Sequence, residues 1–403
     1  MVWQMVNPAL EQLQEYPFGR LANLISDLTP PAAIRPIIMS IGEPQDQPPS
    51  FVTDILAREA VGWGRYPPPG GTPELRQAIA DWLTRRYGLP HGMVDVARHL
   101  LPVAGTREAL FDAATVAVAP AGAGKPAVAL LPNPFYQVYV GAAVINGAEP
   151  RFLPADRRTG FLPDFSAVDA ETWQRTALVY LCTPANPQGS SASIDYLKWL
   201  ITTARRHGAV VAIDECYAEI YRETAPPGGL QAAKELYDGK GDPFANVLVF
   251  HSLSKRSSAP GLRSGFVAGD AKLVELIGRL RSYGGSSIPT PIMTASAALW
   301  REEKHVAAVR ARYNANFDAA AQVLHNRFGF FRPAGGFFLW LDVGDGERAT
   351  RALWEKGAVK VLPGRYLARG EDEANPGRNF VRVALVHDLE TTREALQRIA
   401  AIL

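Results

Sequence analysis

Short apolar runs alternate with amphipathic stretches between about residue 100 and residue 270. The runs are HLLPV, AVALL, ALVYL, AVVAI, VLVF and GFVAG, and helical patterns such as TREALFDAATVAV and IDYLKWLITTARRHG separate several of them. None of the runs alternates strictly between polar and apolar residues, which is typical of strands that are buried on both faces. Strands that alternate with helices form mostly parallel sheets between helical layers. The pattern therefore predicts a large α/β/α domain.

Prolines and turn residues dominate the first 50 residues, where only residues 36–41 have the pattern of a strand. A loop rich in proline and glycine follows this arm, and an amphipathic helix comes next. Thr72 is the expected N-cap of that helix and Pro73 its first residue, since both residue types are favoured at those positions.

A long helical pattern begins near residue 290. The strand-like runs GFFLWLDV, VKVLP and NFVRVAL follow it, and a helical pattern ends the chain. These elements predict a second, smaller α/β domain. We therefore expect an arm over residues 1–50 that completes part of the small domain, a large domain over 51–290 and the small domain over 291–403. A length of 403 residues fits two domains.

The composition is that of an ordinary globular protein, with 47% hydrophobic and 20% charged residues and a net charge of +2. This charge gives no reason to expect a nucleic acid or a membrane as partner. The two cysteines and the seven histidines show no metal-ligand spacing, so we expect no metal site. Neither a signal peptide nor an apolar run of about 18 residues is present, so we expect a cytoplasmic protein.

Groups that could bind a ligand follow five successive apolar runs. In open α/β sheets, ligands bind beyond the carboxyl ends of the strands. The segments at these ends are AGTREAL, PNPFYQVY, CTPANPQG, DECY and HSLSK, and Arg263 precedes the run GFVAG. A glycine turn that begins a helix, as in AGTREAL, offers free backbone amides to an anion.

Each of these groups alone has an ordinary structural explanation, as a helix cap, a turn former or a solvated surface residue. Together they suit one ligand with five features. The groups would meet a phosphate (the Gly105–Thr106 turn, Ser252, Arg263), an aromatic ring (Tyr136), a basic ring atom (Asp214), a phenolic oxygen (Asn186, Tyr217) and an electrophilic carbon (Lys255). Pyridoxal phosphate has all five features, and lysine forms a Schiff base with its aldehyde.

The chain resembles the class I and II pyridoxal-phosphate aminotransferases of the aspartate aminotransferase fold. The segments that carry this resemblance include GEP, RYPPPGGTPELR, GTREAL, NPFY, ANPQG, DECY, SLSK, PGLRSG and FVRVAL. The resemblance implies a mostly parallel seven-stranded sheet in the large domain. It also implies a homodimer with a shared active site.

The resemblance gives each matching residue a role. Lys255 would form the Schiff base, Asp214 would face the pyridinium nitrogen, and Tyr217 and Asn186 would donate to the ring oxygen. The remaining roles concern ring stacking (Tyr136), the phosphate (Gly105, Thr106, Arg107, Ser252, Arg263), the partner's phosphate across the dimer interface (Tyr66) and the substrate α-carboxylate (Arg382, Gly42).

Within that family, the segments SLSKRSSAPGLRSGFVAGD and GWGRYPPPGGTPELRQAIA are most similar to bacterial N-succinyldiaminopimelate aminotransferases of lysine biosynthesis. This similarity implies that glutamate donates its amino group and that N-succinyl-2-amino-6-oxopimelate accepts it. Both substrates are polyanionic, so a second cation should meet the distal carboxylate. The candidates in the arm are Arg20 and Arg35.

The sequence departs from that pattern at two positions near the site, where Gln188 replaces the common threonine and Ser258 replaces an expected asparagine. Alternative functions are therefore another class I aminotransferase, of aspartate, aromatic or kynurenine type, or a pyridoxal-phosphate C–S lyase.

A transcription regulator would need a DNA-binding module, and no helix-turn-helix pattern occurs in the first 50 residues. A nicotinamide-dependent oxidoreductase is disfavoured because no strand precedes a GxGxxG motif. The segment APAGAGKP at 119–126 lacks two residues that a P-loop needs.

Overall fold

The computed structural model describes residues 6–120 and 124–403. The described chain contains strands β1 to β12: Ile37–Ile38, Leu100–Val103, Val128–Asn133, Glu149–Pro154, Thr176–Cys182, Val210–Asp214, Val247–Ser252, Gly265–Gly269, Phe338–Asp342, Val359–Lys360, Leu362–Pro363 and Phe380–Ala384. Helices α1 to α14 are Pro17–Leu24, Phe51–Arg58, Pro73–Tyr87, Thr106–Ala117, Gln137–Ile145, Ala170–Arg175, Ile194–His207, Gly229–Glu235, Leu253–Arg256, Ala271–Gly284, Thr290–Arg301, Lys304–Leu324, Gly346–Gly357 and Leu389–Ile402.

Seven strands form the large sheet in the order β2-β8-β7-β6-β5-β3-β4. All neighbours are parallel except the pairs that include β8. Successive residues of β3 point to opposite faces, and each face is covered by its own buried core: Val128 and Leu130 belong to one core, Ala129 and Leu131 to the other. The predicted mostly parallel sheet between two helical layers is confirmed.

Two small sheets lie in the remaining part of the fold. One pairs β1 with β10 in parallel, and the other has the antiparallel order β11-β12-β9. Their inward side chains form a separate core with residues of α12, α13 and α14. Because β1 belongs to the arm, Ile37–Ile38 of the arm completes a sheet of the C-terminal part.

The domain boundaries stay a proposal. Helix α11 packs against α3 and contributes Met293 and Trp300 to a core of the large sheet. Helix α12 instead contributes Phe317 and Leu324 to the core of the small sheets. The change from one core to the other therefore falls near Glu302, whose carboxylate accepts hydrogen bonds from the first amides of α12.

The other predicted elements agree with the structure in most places. Thr72 caps α3 by accepting a hydrogen bond from the amide of Leu75, at 3.3 Å, and Pro73 is its first residue. The strand predicted over 36–41 is limited to Ile37–Ile38. Strand β4 was not predicted, because it is a partly exposed edge strand with two prolines and a glutamate. No helix in the described part of the chain is long and apolar enough to span a membrane.

Candidate active site

A cavity of about 470 Å³ opens at the carboxyl edge of the large sheet. Its other walls come from the arm and from the small sheets. All but two of the residues to which the resemblance gave a role line this cavity: Gly42, Thr106, Arg107, Tyr136, Asn186, Asp214, Tyr217, Ser252, Lys255, Arg263 and Arg382. Residues that follow strands far apart in the sequence therefore meet in one cavity, because the carboxyl ends of parallel strands lie at the same edge of the sheet.

Lys255 lies in the short helix α9, which directly follows β7. Its ammonium group donates a hydrogen bond to the carbonyl of Gly42, in the arm, and lies 5.4 Å from the centre of the Phe337 ring. Burial lowers the pKa of Lys255 to about 8, because the charged amine is deprived of water in this position. An amine with this pKa is partly neutral at physiological pH and is therefore able to act as a nucleophile.

Asp214 is the last residue of β6, and its carboxylate is buried at the cavity floor. One oxygen accepts a hydrogen bond from the Tyr139 hydroxyl at 2.7 Å, and the other accepts one from the Cys216 amide at 3.2 Å. Burial raises the pKa of Asp214, and these two donors partly offset the effect by favouring the ionised form. These two hydrogen bonds hold the carboxylate in place. It forms no ion pair with a cation among the described residues.

Arg382 of β12 forms the opposite wall, and it is 5% exposed. Its guanidinium donates to the Asn186 side-chain oxygen at 3.0 Å and to the Ser40 carbonyl at 2.8 Å, and it lies 4.3 Å from the Phe338 ring centre. No carboxylate of the described residues pairs with it, and its Nε has no hydrogen-bond partner there. Burial lowers the pKa of Arg382 to about 10, which leaves it charged at neutral pH.

Tyr217 is buried beside this arginine, and its ring meets the edges of Phe337 and Phe338. Burial raises the pKa of Tyr217 well above its usual value, so its hydroxyl keeps its proton and can donate it to an acceptor. Asn186 and Tyr217 therefore bring two polar groups to the same wall of the cavity.

The predicted anion-binding turn lies where β2 ends and α4 begins. Gly105 has a φ of 90°, and a Cβ at this position would lie 2.2 Å from the Arg263 guanidinium. Only glycine therefore allows Arg263 to approach the first turn of α4. Arg263 itself adopts a φ of 50° after the Pro260–Leu262 turn. Ser252 lies beside them and donates its hydroxyl proton to Ser254 at 2.7 Å.

Arg107 and Tyr136 form the rim of the cavity. The Arg107 guanidinium donates to the Tyr136 hydroxyl at 2.9 Å. Burial raises the pKa of Tyr136 to about 12, even though the charge and the hydrogen bond of Arg107 lower it. This hydrogen bond fixes the Tyr136 ring at the N-terminal end of α5.

Several predicted residues lie outside the cavity. Gly105 is behind its wall, and Tyr66 is fully exposed on the surface of the chain. The two arm cations, Arg20 and Arg35, do not line the cavity either: Arg20 stacks 3.9 Å from the Tyr366 ring centre, and Arg35 is exposed.

The two departures from the family pattern also lie behind the cavity wall. Gln188 is buried and donates to the Ala155 carbonyl at 3.2 Å. Ser258 is buried with a φ of 50°, a conformation in which asparagine is favoured over serine. Most of the APAGAGKP segment lies in the described chain, but residues 121–123 are outside it.

Sequence reasoning missed Tyr139, which is fully buried and donates to Asp214, and several residues that line the cavity. Tyr139 follows Tyr136 by one helical turn, so its position on α5 could have suggested that it reaches the same site. The arm residues Tyr16, Pro17 and Phe18, together with Leu362 and Leu367 of the C-terminal part, had no signal in the pattern. They complete the wall that faces away from the large sheet.

Comparison with known proteins identifies the family. The profile of the family "Aminotransferase class I and II" matches residues 35–399, so the chain belongs to the class I and II aminotransferases. An aminotransferase of Neisseria meningitidis, known from its crystal structure, is 41% identical with a TM-score of 0.92, and the match covers 98% of this chain and 99% of that one. Members of the family use pyridoxal phosphate and act on amino and keto acids, and the predicted family, fold and cofactor are thereby confirmed.

Two relatives have different substrates in their names. An LL-diaminopimelate aminotransferase of Desulforudis audaxviator is 29% identical, over 98% of this chain and 97% of its own length. A 4-dedimethylamino-4-oxo-anhydrotetracycline transaminase of Streptomyces rimosus is 31% identical, over 90% and 92%. At this level of identity, the relatives support the reaction class more firmly than any single substrate.

The cavity fits the cofactor. The lack of a side chain at Gly105 leaves the helix N-terminus and the Arg263 guanidinium free to approach a phosphate from two sides. Asp214 offers a buried carboxylate to a basic ring nitrogen, and Lys255 offers an amine with a lowered pKa to an aldehyde. Asp214, Lys255 and Arg263 line one cavity, so a single ligand can meet all three groups.

Proposed function

We propose that this chain transfers amino groups between glutamate and N-succinyl-2-amino-6-oxopimelate, the keto acid that corresponds to N-succinyl-LL-diaminopimelate, in the cytoplasm. The observation that carries the amino-acid part of the proposal is Arg382, a buried guanidinium in the cavity with no carboxylate partner among the described residues. A buried charge without a counter-ion is costly, and a substrate carboxylate would offset this cost.

Pyridoxal phosphate, when bound, supplies an aldehyde carbon that reacts with amines and a ring that withdraws electrons from the substrate. We propose that Lys255 holds it covalently, that Asp214 faces its ring nitrogen and that Asn186 and Tyr217 donate to its ring oxygen. Thr106, Ser252 and Arg263, with the Gly105 turn and the Arg107 backbone, would hold its phosphate, and Tyr136 would stack on its ring.

Lys255 has a second proposed role, as the base and acid of the reaction. Its Nζ lies in the same cavity as Arg382, which would hold the substrate α-carboxylate beside Gly42. A guanidinium binds a carboxylate through two parallel hydrogen bonds and so fixes the direction of the Cα–H bond. Once the substrate amine has taken its place, the freed Lys255 amine can accept the Cα proton, and proton transfer of this kind is worth about 10²–10⁴-fold in rate.

The acceptor substrate rests on resemblance and on relatives rather than on a single contact. The segments around Lys255 are most similar to N-succinyldiaminopimelate aminotransferases, and a relative at 29% identity is named for LL-diaminopimelate. LL-diaminopimelate without the succinyl group is therefore the second candidate. Both compounds have the same carbon skeleton with carboxylates at its two ends.

An amino-acceptor screen separates the candidates. The holoenzyme would be supplied with glutamate and with the succinylated keto acid, its counterpart without the succinyl group, an acetylornithine-type semialdehyde or an aromatic keto acid. We expect the fastest turnover with the succinylated compound. Turnover of the other diaminopimelate precursor alone would contradict the succinyl assignment, and release of pyruvate and ammonia from a single amino acid would indicate a C–S lyase.

We also propose a homodimer in which Tyr66 reaches the phosphate of the partner's cofactor. The supporting observation is that Tyr66 is fully exposed, next to the exposed side chains of Val61 and Trp63. Three large apolar or aromatic side chains close together in sequence and exposed to solvent are typical of an interface.

A further inference from the structure

A buried polar network lies behind the strand ends that carry Asp214 and Ser252. Its members are Tyr87, the last residue of α3, with Glu215 and His251. Glu215 directly follows Asp214 at the end of β6, and His251 directly precedes Ser252 in β7. Ser252 lines the cavity, and none of the three network residues does. Because successive residues of a strand point to opposite faces of the sheet, His251 points away from the face that carries the Ser252 side chain.

Glu215 is the centre of this network, and it is 1% exposed. One of its carboxylate oxygens accepts a hydrogen bond from the Tyr87 hydroxyl at 2.6 Å. The other accepts one from the amide of Gly229, the first residue of α8, at 2.6 Å. The Nε2 atom of His251 lies 2.8 Å from the oxygen that Tyr87 contacts. A buried carboxylate with partners from three separate elements is held in one position.

The Tyr87 hydroxyl connects the other two members. Burial and the neighbouring Glu215 charge raise the pKa of Tyr87 well above its usual value, so the hydroxyl keeps its proton and donates it to Glu215. Its oxygen lies 3.2 Å from His251 Nε2 and can accept a second hydrogen bond there, because a phenol is both a donor and an acceptor. Helix α3 is thereby tied to the ends of both β6 and β7.

Backbone pairing transmits this contact to the residues of the site. The last ladder pair of β6 and β7 is Asp214 with Phe250, and the Glu215 amide still donates to the Phe250 carbonyl at 3.0 Å. The contact between the Glu215 and His251 side chains joins the two strands one residue further on. Asp214 and Ser252 are the direct neighbours of these two residues. The distance between the Asp214 carboxylate and the Ser252 hydroxyl therefore depends on a contact that lies outside the cavity.

We propose that Tyr87, Glu215 and His251 are positioning residues that fix the spacing between the two ends of the cofactor site. The inference rests on the proposed function, in which Asp214 meets the ring nitrogen and Ser252 helps to hold the phosphate. A rigid ligand that reaches both ends gains from both contacts only while their spacing matches its own length. The network thus contributes to cofactor affinity although it does not line the cavity.

Ligands that reach one end or both ends of the site test this spacing. Pyridoxine phosphate would meet both ends, pyridoxine the ring end and inorganic phosphate the other end, and none of them has an aldehyde that reacts with Lys255. Their dissociation constants would be measured by fluorescence titration of the apoenzyme, with inorganic phosphate as a competitor of pyridoxine phosphate. Tyr87→Phe and Glu215→Gln should each weaken pyridoxine phosphate binding about 10-fold, and binding of the two smaller ligands less than about 2-fold.

Phe266→Leu is the matched control for a loss of packing at the same place. The Phe266 ring lies 5.2 Å from the His251 ring and has no polar atom that could join the network. This variant should lower the unfolding temperature and leave the ratio of the affinities for pyridoxine phosphate and pyridoxine unchanged. Equal weakening of all three ligands by Tyr87→Phe, or a change of the ratio in Phe266→Leu as large as that in Tyr87→Phe, would overturn the proposal.

Two substitutions of His251 separate its ring from its nitrogen. His251→Gln loses the ring but places an amide nitrogen near the position of Nε2, whereas His251→Phe keeps a ring that can pack on Trp82 and Phe266. We expect His251→Gln to retain more of the affinity ratio than His251→Phe, even if it unfolds at a lower temperature. The reverse order would show that His251 acts through packing alone and would overturn its positioning role.

Asp214→Asn distinguishes a failure of the network from a failure of the proposed function. If Asp214→Asn leaves pyridoxine binding unchanged, the contact proposed for Asp214 fails, and the positioning role fails with it. If Asp214→Asn weakens pyridoxine binding while Tyr87→Phe and Glu215→Gln keep the natural affinity ratio, the proposed function stands and the positioning role is wrong. Thermal unfolding of each apoenzyme shows whether the fold is retained, and Tyr87→Phe and Glu215→Gln each test the spacing without the other.

Discussion

The cavity has two unlike sides: the carboxyl edge of the large sheet, and the wall made by the arm and the small sheets. At the sheet edge, Asp214 and Ser252 are buried, and their polar atoms have hydrogen-bond partners. On the arm side, Arg382 is a buried charged group without a carboxylate partner in the described residues.

This difference indicates that the two sides of the cavity have different functions, one toward the cofactor and one toward the substrate. Groups that are already fixed by the protein can hold a cofactor that stays in the cavity during many turnovers. Unbalanced cations need an anion from outside, which suits a substrate that enters and leaves. Substitutions at the sheet edge should therefore act on the cofactor and lower kcat, and substitution of Arg382 on the arm side should act on substrate binding and raise KM.

Asp214→Asn should have the largest effect among the substitutions that test this division. It removes the charge that we propose to lie opposite the ring nitrogen, and an opposite charge of this kind shifts a pKa by about 1–3 units. We expect kcat to fall about 10²–10³-fold for every substrate pair, measured by steady-state kinetics, and to fall more than in Asn186→Ala. A loss limited to dicarboxylic substrates would contradict the assignment of Asp214 to the cofactor.

Arg382→Lys should come next, with an effect on the substrate side. Lysine keeps the charge but cannot form two parallel hydrogen bonds to one carboxylate. We expect kcat/KM to fall about 10–100-fold for every amino acid, mainly through KM, while the absorption spectrum of the bound cofactor stays unchanged. An unchanged KM together with a changed spectrum would place Arg382 on the cofactor side instead.

Tyr139→Phe should have a smaller effect, about 10-fold on kcat, because it removes one hydrogen bond to a carboxylate. That hydrogen bond favours ionised Asp214, so its loss should raise the pKa of Asp214 further and move the acidic limb of the pH–rate profile to higher pH. Tyr180→Phe is the matched control: it stacks on Tyr139, and its hydroxyl donates to the Leu110 carbonyl instead. Equal profiles for the two variants would exclude a special role of Tyr139.

Tyr66→Phe should have the smallest effect. Loss of one hydroxyl at a phosphate should weaken cofactor binding about 2–10-fold, measured by fluorescence titration of the apoenzyme. A mixture of Tyr66→Phe and Lys255→Ala subunits should form mixed dimers in which one site has both natural residues. If no fraction of the sites in the mixture binds the cofactor as tightly as the natural enzyme does, Tyr66 does not act across an interface.

The sequence predicted the sheet edge far better than the arm-side wall, for a physical reason. Asp214, Asn186 and Lys255 follow strands, and the carboxyl ends of parallel strands meet at one edge whatever the loops do. Tyr16 and Leu367 meet only after the arm has packed on the small sheets, and no periodicity marks that contact. Arg20 was a candidate for the distal carboxylate, but in the folded chain it packs on the Tyr366 ring outside the cavity.

Element ends were predictable where residue types that are adjacent in sequence decide them. Thr72 and Pro73 begin α3 as expected, since capping depends on residues that are adjacent in sequence. Strand β4 is stabilised by its pairing with β3 rather than by its own composition, so its sequence gave no strand signal.

The most direct test of the central claim is the pH dependence of borohydride trapping on Lys255. Apoenzyme would be mixed with pyridoxal phosphate at pH 6–11, reduced after a short interval and digested, and the modified peptide would be quantified by mass spectrometry. Only the neutral amine reacts, so modification of Lys255 should rise with pH and level off with a midpoint of about 8. Modification of a different lysine, or a midpoint near the ordinary lysine value of about 10.4, would contradict the account.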